Sequence, residues 1–191
     1  MRFRPLLAFL LLLGATACSD PTSTCATLIG GGAFCLQPTT ALAEFEVQQK
    51  VEMRLGDHHD TLIVSLEVDA AGLRLVGLTP FGQKAAQLEY DNHAVTAKAL
   101  PNARISPALL VALLQIALWP ADSVRAGLGA PLTLAEGHKQ RQILHRSESI
   151  LLIDYSGEQP LYRQIHISVP SIDLELTIDT LEAVPAAKMF E

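Results

Sequence analysis

The sequence predicts a mainly β domain of about ten antiparallel strands with one strongly apolar helix inserted between them. Apolar and polar residues alternate over most of the chain, which is the period of a strand with one buried face. The connections between successive alternating segments are too short for a crossover, so neighbouring strands must run antiparallel. One stretch in the middle of the chain instead carries apolar residues at helical spacing.

The composition bounds the size of the fold and excludes two classes of protein. The chain has 191 residues and 49% of them are hydrophobic, which suits one domain that buries enough surface to offset its conformational entropy. This excludes a disordered protein. The formal net charge is -6, and no basic cluster follows the first four residues. A nucleic-acid partner is therefore excluded, because phosphate binding needs clustered Lys and Arg.

The N-terminus has the layout of a secretory signal peptide. Arg2 and Arg4 precede an apolar run at residues 6–13, and small residues at 14–17 then lead to Cys18. The run is shorter than the about 20 residues that a membrane-spanning helix needs. We therefore expect residues 1–17 to be a signal peptide that is removed, and we exclude them from the fold.

Residues 15–18, Ala-Thr-Ala-Cys, resemble the bacterial lipobox, in which small residues lead into a cysteine that becomes acylated. The resemblance implies that Cys18 carries an acyl anchor to the membrane and that residues 18–24 are a lipidated tether. Ser19, rather than Asp, follows the cysteine, which by the same resemblance implies the periplasmic face of the outer membrane. Ala15 and Ala17 would also suit ordinary signal peptidase, so plain secretion stays open as an alternative.

The remaining cysteines predict a disulfide. Once Cys18 is acylated, two thiols are left, Cys25 and Cys35, and an even number in an oxidising periplasm predicts that they pair. The glycine run at residues 30–32 lies between them. It lacks the Lys-Ser/Thr of a P-loop, so we expect a turn and not a phosphate site.

Alternation predicts five strands before the helix. On the first, over residues 45–55, Phe45, Val47, Val51, Met53 and Leu55 share the buried face. The second covers residues 62–68, and the residues 57–60 between them form a hairpin tip. Further strands are expected near residues 73–78, 83–90 and 94–98.

Ser106 and Pro107 predict the start of a helix over residues 108–119, since Ser is a good N-cap and Pro a good first helical residue. At about 18 Å this helix cannot cross a bilayer of about 30 Å. A helix so apolar is either buried or covers an apolar surface. Strand patterns then return at residues 132–134, 140–145, 149–155, 161–169 and 172–178.

The sequence predicts neither an enzyme nor a bound cofactor or metal. It contains no G-x-S-x-G elbow and no HExxH spacing, and its paired carboxylates fit solvated strand faces. Asp57, His58, His59 and Asp60 are the densest group of potential metal ligands. Adjacent residues of a strand point to opposite faces, so we expect a solvated turn there.

The lipobox, the strand meander, the inserted apolar helix and the following strands together resemble the LolA/LolB-like lipoprotein carriers of the bacterial envelope. Residues 45–90, which include the stretch GLRLVGLTPFGQ from Gly72 to Gln83, are also similar to an uncharacterised Gram-negative lipoprotein family. That family is a domain of unknown function whose members occur beside aryl-polyene genes. The resemblance implies a LolA/LolB-like domain over residues 25–191: a curved, half-open barrel that the apolar helix lids over a cavity for acyl chains.

We therefore expect an outer-membrane lipoprotein that binds or carries an acyl or aryl-polyene lipid between sheet and helix. The candidate ligand contacts are Leu110, Leu113, Leu114, Ala117, Leu118, Val51 and Met53, and we assign no role to Val64. The alternative is an assembly lipoprotein that holds an envelope protein partner through a sheet edge or an apolar patch. LolB-type membrane insertion does not carry over, because the first hairpin tip, residues 56–60, is charged where that receptor exposes an apolar residue.

Overall fold

The computed structural model describes residues 24–100, 102, 105–159 and 161–185. The predicted signal peptide, Cys18 and nearly all of the tether lie outside the described residues. Twelve strands are described: β1 (Cys25–Thr27), β2 (Ala33–Cys35), β3 (Phe45–Leu55), β4 (His58–Asp69), β5 (Gly72–Leu78), β6 (Lys84–Tyr90), β7 (Val95–Ala99), β8 (Leu132–Gly137), β9 (Gln140–His145), β10 (Glu148–Ser156), β11 (Gln164–Val169) and β12 (Leu174–Pro185). Two α-helices, α1 (Pro107–Leu118) and α2 (Ala121–Gly127), lie between β7 and β8.

Ten of these strands form one antiparallel sheet in the order β7-β6-β5-β4-β3-β12-β11-β10-β9-β8. The strands before the helices make one meander and those after them make another. The meanders join where β3 pairs with β12, from Leu174 opposite Leu55 to Pro185 opposite Phe45. The outermost strands β7 and β8 do not pair, so the curved sheet stays open. The predicted fold class, a half-open antiparallel barrel with an apolar helix, is confirmed.

The first hairpin is tighter than predicted. Strands β3 and β4 are joined by Gly56 and Asp57 alone, and Gly56 has a φ of +58°, which such a short connection favours. His58 pairs with Leu55 and His59 with Arg54, so the expected four-residue tip was wrong. Both histidines are exposed, so no buried alternation marks this end of the strand.

Helix α1 is confirmed with its predicted cap: the Leu109 backbone N–H donates to Ser106 Oγ at 3.2 Å, and Pro107 is the first helical residue. Helix α2 was not predicted, because its seven residues bury only Val124 and Gly127 and show no apolar periodicity. Gly127 packs so closely on Phe34 that a Cβ would lie 2.5 Å from the ring. Within the described part of the chain, both helices fall short of the length and apolarity that a bilayer span requires.

The C-terminal half of α1 is fixed to the sheet by hydrogen bonds to its last carbonyls. Arg141, which is buried, donates from Nη1 to the carbonyls of Ile116 at 3.0 Å and Trp119 at 2.6 Å. The Tyr155 hydroxyl donates to the Ala117 carbonyl at 2.8 Å. A cation at a helix C-terminus also interacts favourably with the helix dipole.

The same half of the helix is held from the other side by the segment after β2. Gln115 is fully buried: its Oε1 accepts from the Gln37 N–H at 2.7 Å, and its Nε2 donates to the Gln37 carbonyl at 2.8 Å. Trp119 Nε1 donates to the Pro38 carbonyl at 3.0 Å. A disulfide between Cys25 and Cys35 ties β1 to β2 just before this segment. Two neighbouring elements therefore fix one end of α1.

The glycine run between β1 and β2 is a packed turn. Gly30, Gly31 and Gly32 all have positive φ. A Cβ would lie 2.7 Å from Ile150 at Gly30 and 2.6 Å from Leu132 at Gly32, so the turn lies directly on the second meander. The glycine run is therefore a turn, as predicted, and its glycines allow close packing against the second meander.

We expect Arg141→Leu to lower the free energy of unfolding by about 2–4 kcal/mol, because it leaves the carbonyls of Ile116 and Trp119 without their charged donor and removes one of the two arginines that bond Glu136. Chemical denaturation followed by circular dichroism measures this. Arg163→Leu is the control, since Arg163 is exposed and should change stability by about 0.5 kcal/mol or less. Equal effects of the two substitutions would contradict the anchoring role.

Candidate functional site

An apolar cavity of about 80 Å³ lies between helix α1 and the inner face of the sheet. Three helix residues and ten strand residues line it, and twelve of these thirteen side chains are apolar. The exception is Gln49 on β3. The lining residues are Gln49, Val51, Met53, Leu62, Val64, Leu75, Ala86, Leu110, Leu113, Leu114, Ile167, Leu176 and Ile178.

Two periodicities in the sequence build this lining. Residues 49, 51 and 53 lie on one face of β3 because side chains alternate along a strand, and the same rule turns Leu62 and Val64 of β4 inward. Leu110, Leu113 and Leu114 share one face of α1 because they are three and four residues apart. Val51, Leu75, Leu110 and Leu114 stay partly exposed, so the cavity opens to solvent.

The cavity is a gap in the hydrophobic core. The main core runs along α1 and most of the sheet, whereas Leu62, Val64 and Ala86 form a small separate cluster. Val51 and Leu75 contact both clusters. Helix α1 packs on the main core, and it covers the part of the sheet that carries the small cluster only incompletely.

Five of the seven predicted ligand contacts line this cavity: Leu110, Leu113, Leu114, Val51 and Met53. Ala117 and Leu118 do not; they are 2% and 8% exposed and pack in the main core. The helical spacing placed them on the same face, but the anchored end of α1 is buried on all sides. Val64, to which no role was assigned, lines the cavity.

A second, smaller void of about 10 Å³ lies under the same helix and is entirely apolar. It is lined by Leu28, Ile29, Leu109, Leu113, Ile150, Leu151, Val169 and Leu174. Leu113 lines both spaces. This side chain therefore separates the two spaces.

Two clusters of charged side chains lie on the outer face of the sheet, away from the cavity. Arg54 bridges Asp173 and Glu175 on the outer face, and Arg74 bonds Glu67, which lowers the pKa of Glu67. None of the thirteen lining side chains is titratable. These thirteen side chains can therefore contact apolar groups, and none of them supplies an acid, a base or a nucleophile.

A polar concavity of about 350 Å³ lies at the β8–β9 turn, but its central groups are occupied. Arg141 and Tyr155 bond the helix carbonyls, and burial raises the pKa of Tyr155. In the described ranges no three His, Cys, Asp or Glu side chains come together as a metal site. His58 and His59 lie exposed at the start of β4.

Phe81 is an exposed feature that the sequence analysis missed. Its side chain is 91% exposed on the turn between β5 and β6, which carry the cavity residues Leu75 and Ala86. Leu78, at the end of β5, is 37% exposed. Pro80 and Gly82, on either side of Phe81, indicated a turn in the sequence. An aromatic residue at the tip of a turn was the signal that could have predicted an exposed side chain here.

An open antiparallel half-barrel with a helix over an apolar cavity defines the structural class of this protein. The chain belongs to the family described as "Protein of unknown function (DUF3261)", whose model matches residues 46–182. The matched residues include all of β3 except Phe45, β4 to β11, both helices and most of β12. They therefore contain every residue that lines the cavity.

Comparison with solved structures finds similar chains at low sequence identity. A domain from Vibrio parahaemolyticus, described as an outer membrane lipoprotein-sorting protein domain, is 7% identical, with 78% of this chain and 88% of that chain covered and a TM-score of 0.41. A DUF1329 family protein from Desulfovibrio piger is 8% identical, with 79% and 89% covered and a TM-score of 0.38. No curated protein matches the chain.

We expect Leu113→Ala to lower the free energy of unfolding by about 2–5 kcal/mol and to join the cavity to the void beside it. Binding of a neutral fluorescent probe, N-phenyl-1-naphthylamine, should tighten because the joined space is larger. Leu118→Ala is the matched control: it also removes a buried leucine of α1, but one that lines neither space. Equal probe binding by both variants would contradict the dividing role of Leu113.

Proposed function

We propose that this protein binds or carries a hydrophobic ligand between helix α1 and the sheet. The observation that carries this proposal is a solvent-connected cavity with twelve apolar side chains among its thirteen lining residues. Burial of apolar ligand surface contributes about 25 cal/mol per Å² removed from water. An acyl chain or the conjugated chain of an aryl polyene has the apolar surface that such a cavity would bury.

A long chain requires the helix to move. The cavity of about 80 Å³ is smaller than the engineered cavity of about 150 Å³ that accommodates benzene in another protein. The anchors of α1 act on Gln115, Ile116, Ala117 and Trp119, whereas the cavity lies under Leu110 and Leu114. This asymmetry supports a pivot in which the N-terminal half lifts and the C-terminal half stays in place.

The proposed setting is the bacterial envelope. Acylation at Cys18 would anchor the domain to the periplasmic face of the outer membrane, because several acyl chains bind a bilayer stably where one chain is marginal. A lipid ligand would then be exchanged close to the membrane surface. We further propose a binding protein and not an enzyme, which the lack of titratable groups among the lining side chains supports.

Leu114→Glu should reduce lipid co-purification with the full-length protein at least tenfold, because it puts a carboxylate into an apolar cavity. Leu114 is partly exposed, so the variant should fold. The measurement is mass spectrometry of organic extracts after purification of the protein from the bacterial envelope. Glu46→Ala, on the exposed face of β3, is the control and should retain the ligand of the wild type.

The outcome separates binding from packing. A lipid at near-equal stoichiometry in wild type and Glu46→Ala, and its loss in Leu114→Glu, supports the proposal. Clean extracts from the folded wild type, together with failure of added lipid to bind, would overturn it.

The exposed Phe81 favours a second candidate function, an assembly lipoprotein that docks an envelope protein. An aromatic side chain that is 91% exposed at a turn tip can enter a partner's pocket as a binding anchor. Such a partner would be held by this tip without use of the cavity.

We expect Phe81→Ser to leave thermal stability unchanged, because the side chain buries almost no surface. If the protein is a scaffold, the variant should lose a stoichiometric partner recovered by crosslinking in intact envelopes. Leu181→Ser, which changes another exposed apolar residue, is the control. Crosslinks unchanged by Phe81→Ser would remove the support for this second function.

A further inference from the structure

One polar side chain faces the apolar cavity. Gln49 lies on the inner face of β3, between Val47 and Val51, and is only 3% exposed. In the sheet it is opposite Val64 on β4 and Thr180 on β12. A buried amide in such surroundings is costly unless it has a hydrogen-bond partner.

Gln49 has no such partner among the described residues. Val64 offers no polar side-chain atom, and the described hydrogen bond of the Thr180 hydroxyl is to the Tyr162 carbonyl at 2.7 Å, not to Gln49. In the described part of the chain, every side-chain N or O that is sealed from solvent has a partner. The Gln49 amide is therefore not sealed, and its atoms are reached from the cavity that the side chain lines.

The other buried glutamine shows what a structural role looks like in this fold. Gln115 is fully buried, and its amide oxygen and nitrogen both bond the backbone of Gln37. Its hydrogen bonds hold α1 to the segment after β2. Gln49 holds nothing in place, so its amide is available to a bound molecule.

We infer that Gln49 binds the polar group of the ligand, and that the site takes an apolar chain bearing an uncharged hydrogen-bonding group such as an ester carbonyl. The inference rests on the proposed function and deepens it. An amide both donates and accepts but carries no charge. Among the residues that the structure describes no cation lines the cavity, and the nearest basic residues along β3, Lys50 and Arg54, pair with carboxylates on the outer face. A carboxylate or phosphate group would therefore be buried without a counter-charge.

The position of Gln49 also orients the ligand. Along β3 the cavity lining runs from Gln49 through Val51 to Met53, with Ile178 and Leu176 opposite the last two on β12. These four residue steps span about 13 Å of strand. Gln49 therefore marks one end of an apolar track, so the polar group lies at that end and the chain runs toward Met53.

The test measures how loss of the Gln49 amide changes the affinity for two ligands of equal size. The ligands are methyl decanoate and tridecane, which have the same number of non-hydrogen atoms, and their affinities are measured by displacement of N-phenyl-1-naphthylamine from the full-length protein. Gln49→Leu should reduce the affinity for methyl decanoate, relative to the affinity for tridecane, by on the order of 2- to 10-fold. This is the effect expected for the loss of one net hydrogen bond. Gln48→Leu is the matched control, because it changes the neighbouring glutamine on the exposed face of β3.

A third ligand tests the claim about charge. The decanoate anion should lose little affinity in Gln49→Leu, because its carboxylate stays at the solvent-facing mouth. If Gln49→Leu reduces the affinity for decanoate as strongly as the affinity for the ester, Gln49 binds an ionic group and the inference is overturned.

Stability without ligand gives an independent measurement. Gln49→Leu and Gln49→Met should unfold at or above the wild-type temperature, since each replaces an unpartnered amide with apolar surface. A marked drop in the unfolding temperature of both variants would assign Gln49 a structural role and overturn the inference.

The outcomes separate this inference from the proposed function. If no chain displaces the probe from the wild type, the cavity function itself fails. If both chains displace it and Gln49→Leu leaves their affinity ratio unchanged, ligand binding stands and only the role of Gln49 fails.

Discussion

The antiparallel pairing of β3 with β12 joins the two halves of this protein. Each half is a meander whose strands pair with their neighbours in sequence, and β3 and β12 are the strands by which the halves meet. The two helices lie in the connection between the meanders. The inner faces of β3 and β12 consequently form the floor under α1, and Val51, Met53, Leu176 and Ile178 face the cavity from the centre of the sheet.

The helix that covers this floor is fixed unequally. Its last turns bond Arg141, Tyr155 and the backbone near Gln37, whereas its first turn has the Ser106 cap and is otherwise held by apolar contacts. Hydrogen bonds and a buried cation impose one geometry, but apolar contacts allow a side chain to slide or separate at lower cost. The cavity lies under the half that lacks polar anchors. A site for apolar ligands is thus placed where the fold resists opening least.

Charge is divided between the two faces of the sheet. The outer face carries the networks around Arg54 and Arg74, and the inner face carries apolar side chains with few polar exceptions. Arg141 and Gln115 are buried and fully engaged in holding α1. Gln49 is also buried, but no described residue bonds its amide, and it faces the cavity.

The sequence by itself determined the elements whose signal is local. Alternation located the strands of both meanders, and Ser106 with Pro107 located the start of α1. It did not reveal α2, which has too few apolar residues for a period, or residues 58–61 at the start of β4, none of which is buried. Leu110, Leu113 and Leu114 could be assigned to the cavity from helical phase, because side chains three and four residues apart share a face of α1.

Only the tertiary structure decided which inner-face residues line the cavity and which fill the core. Ala117 and Leu118 obey the same helical spacing as Leu113 but lie at the anchored end, where every face is buried. Gln49 interrupts the apolar alternation of β3, and only the tertiary structure shows that it faces the cavity and that no described residue bonds its side-chain amide. Periodicity fixes the face on which a side chain lies. What that face meets depends on contacts between segments distant in sequence.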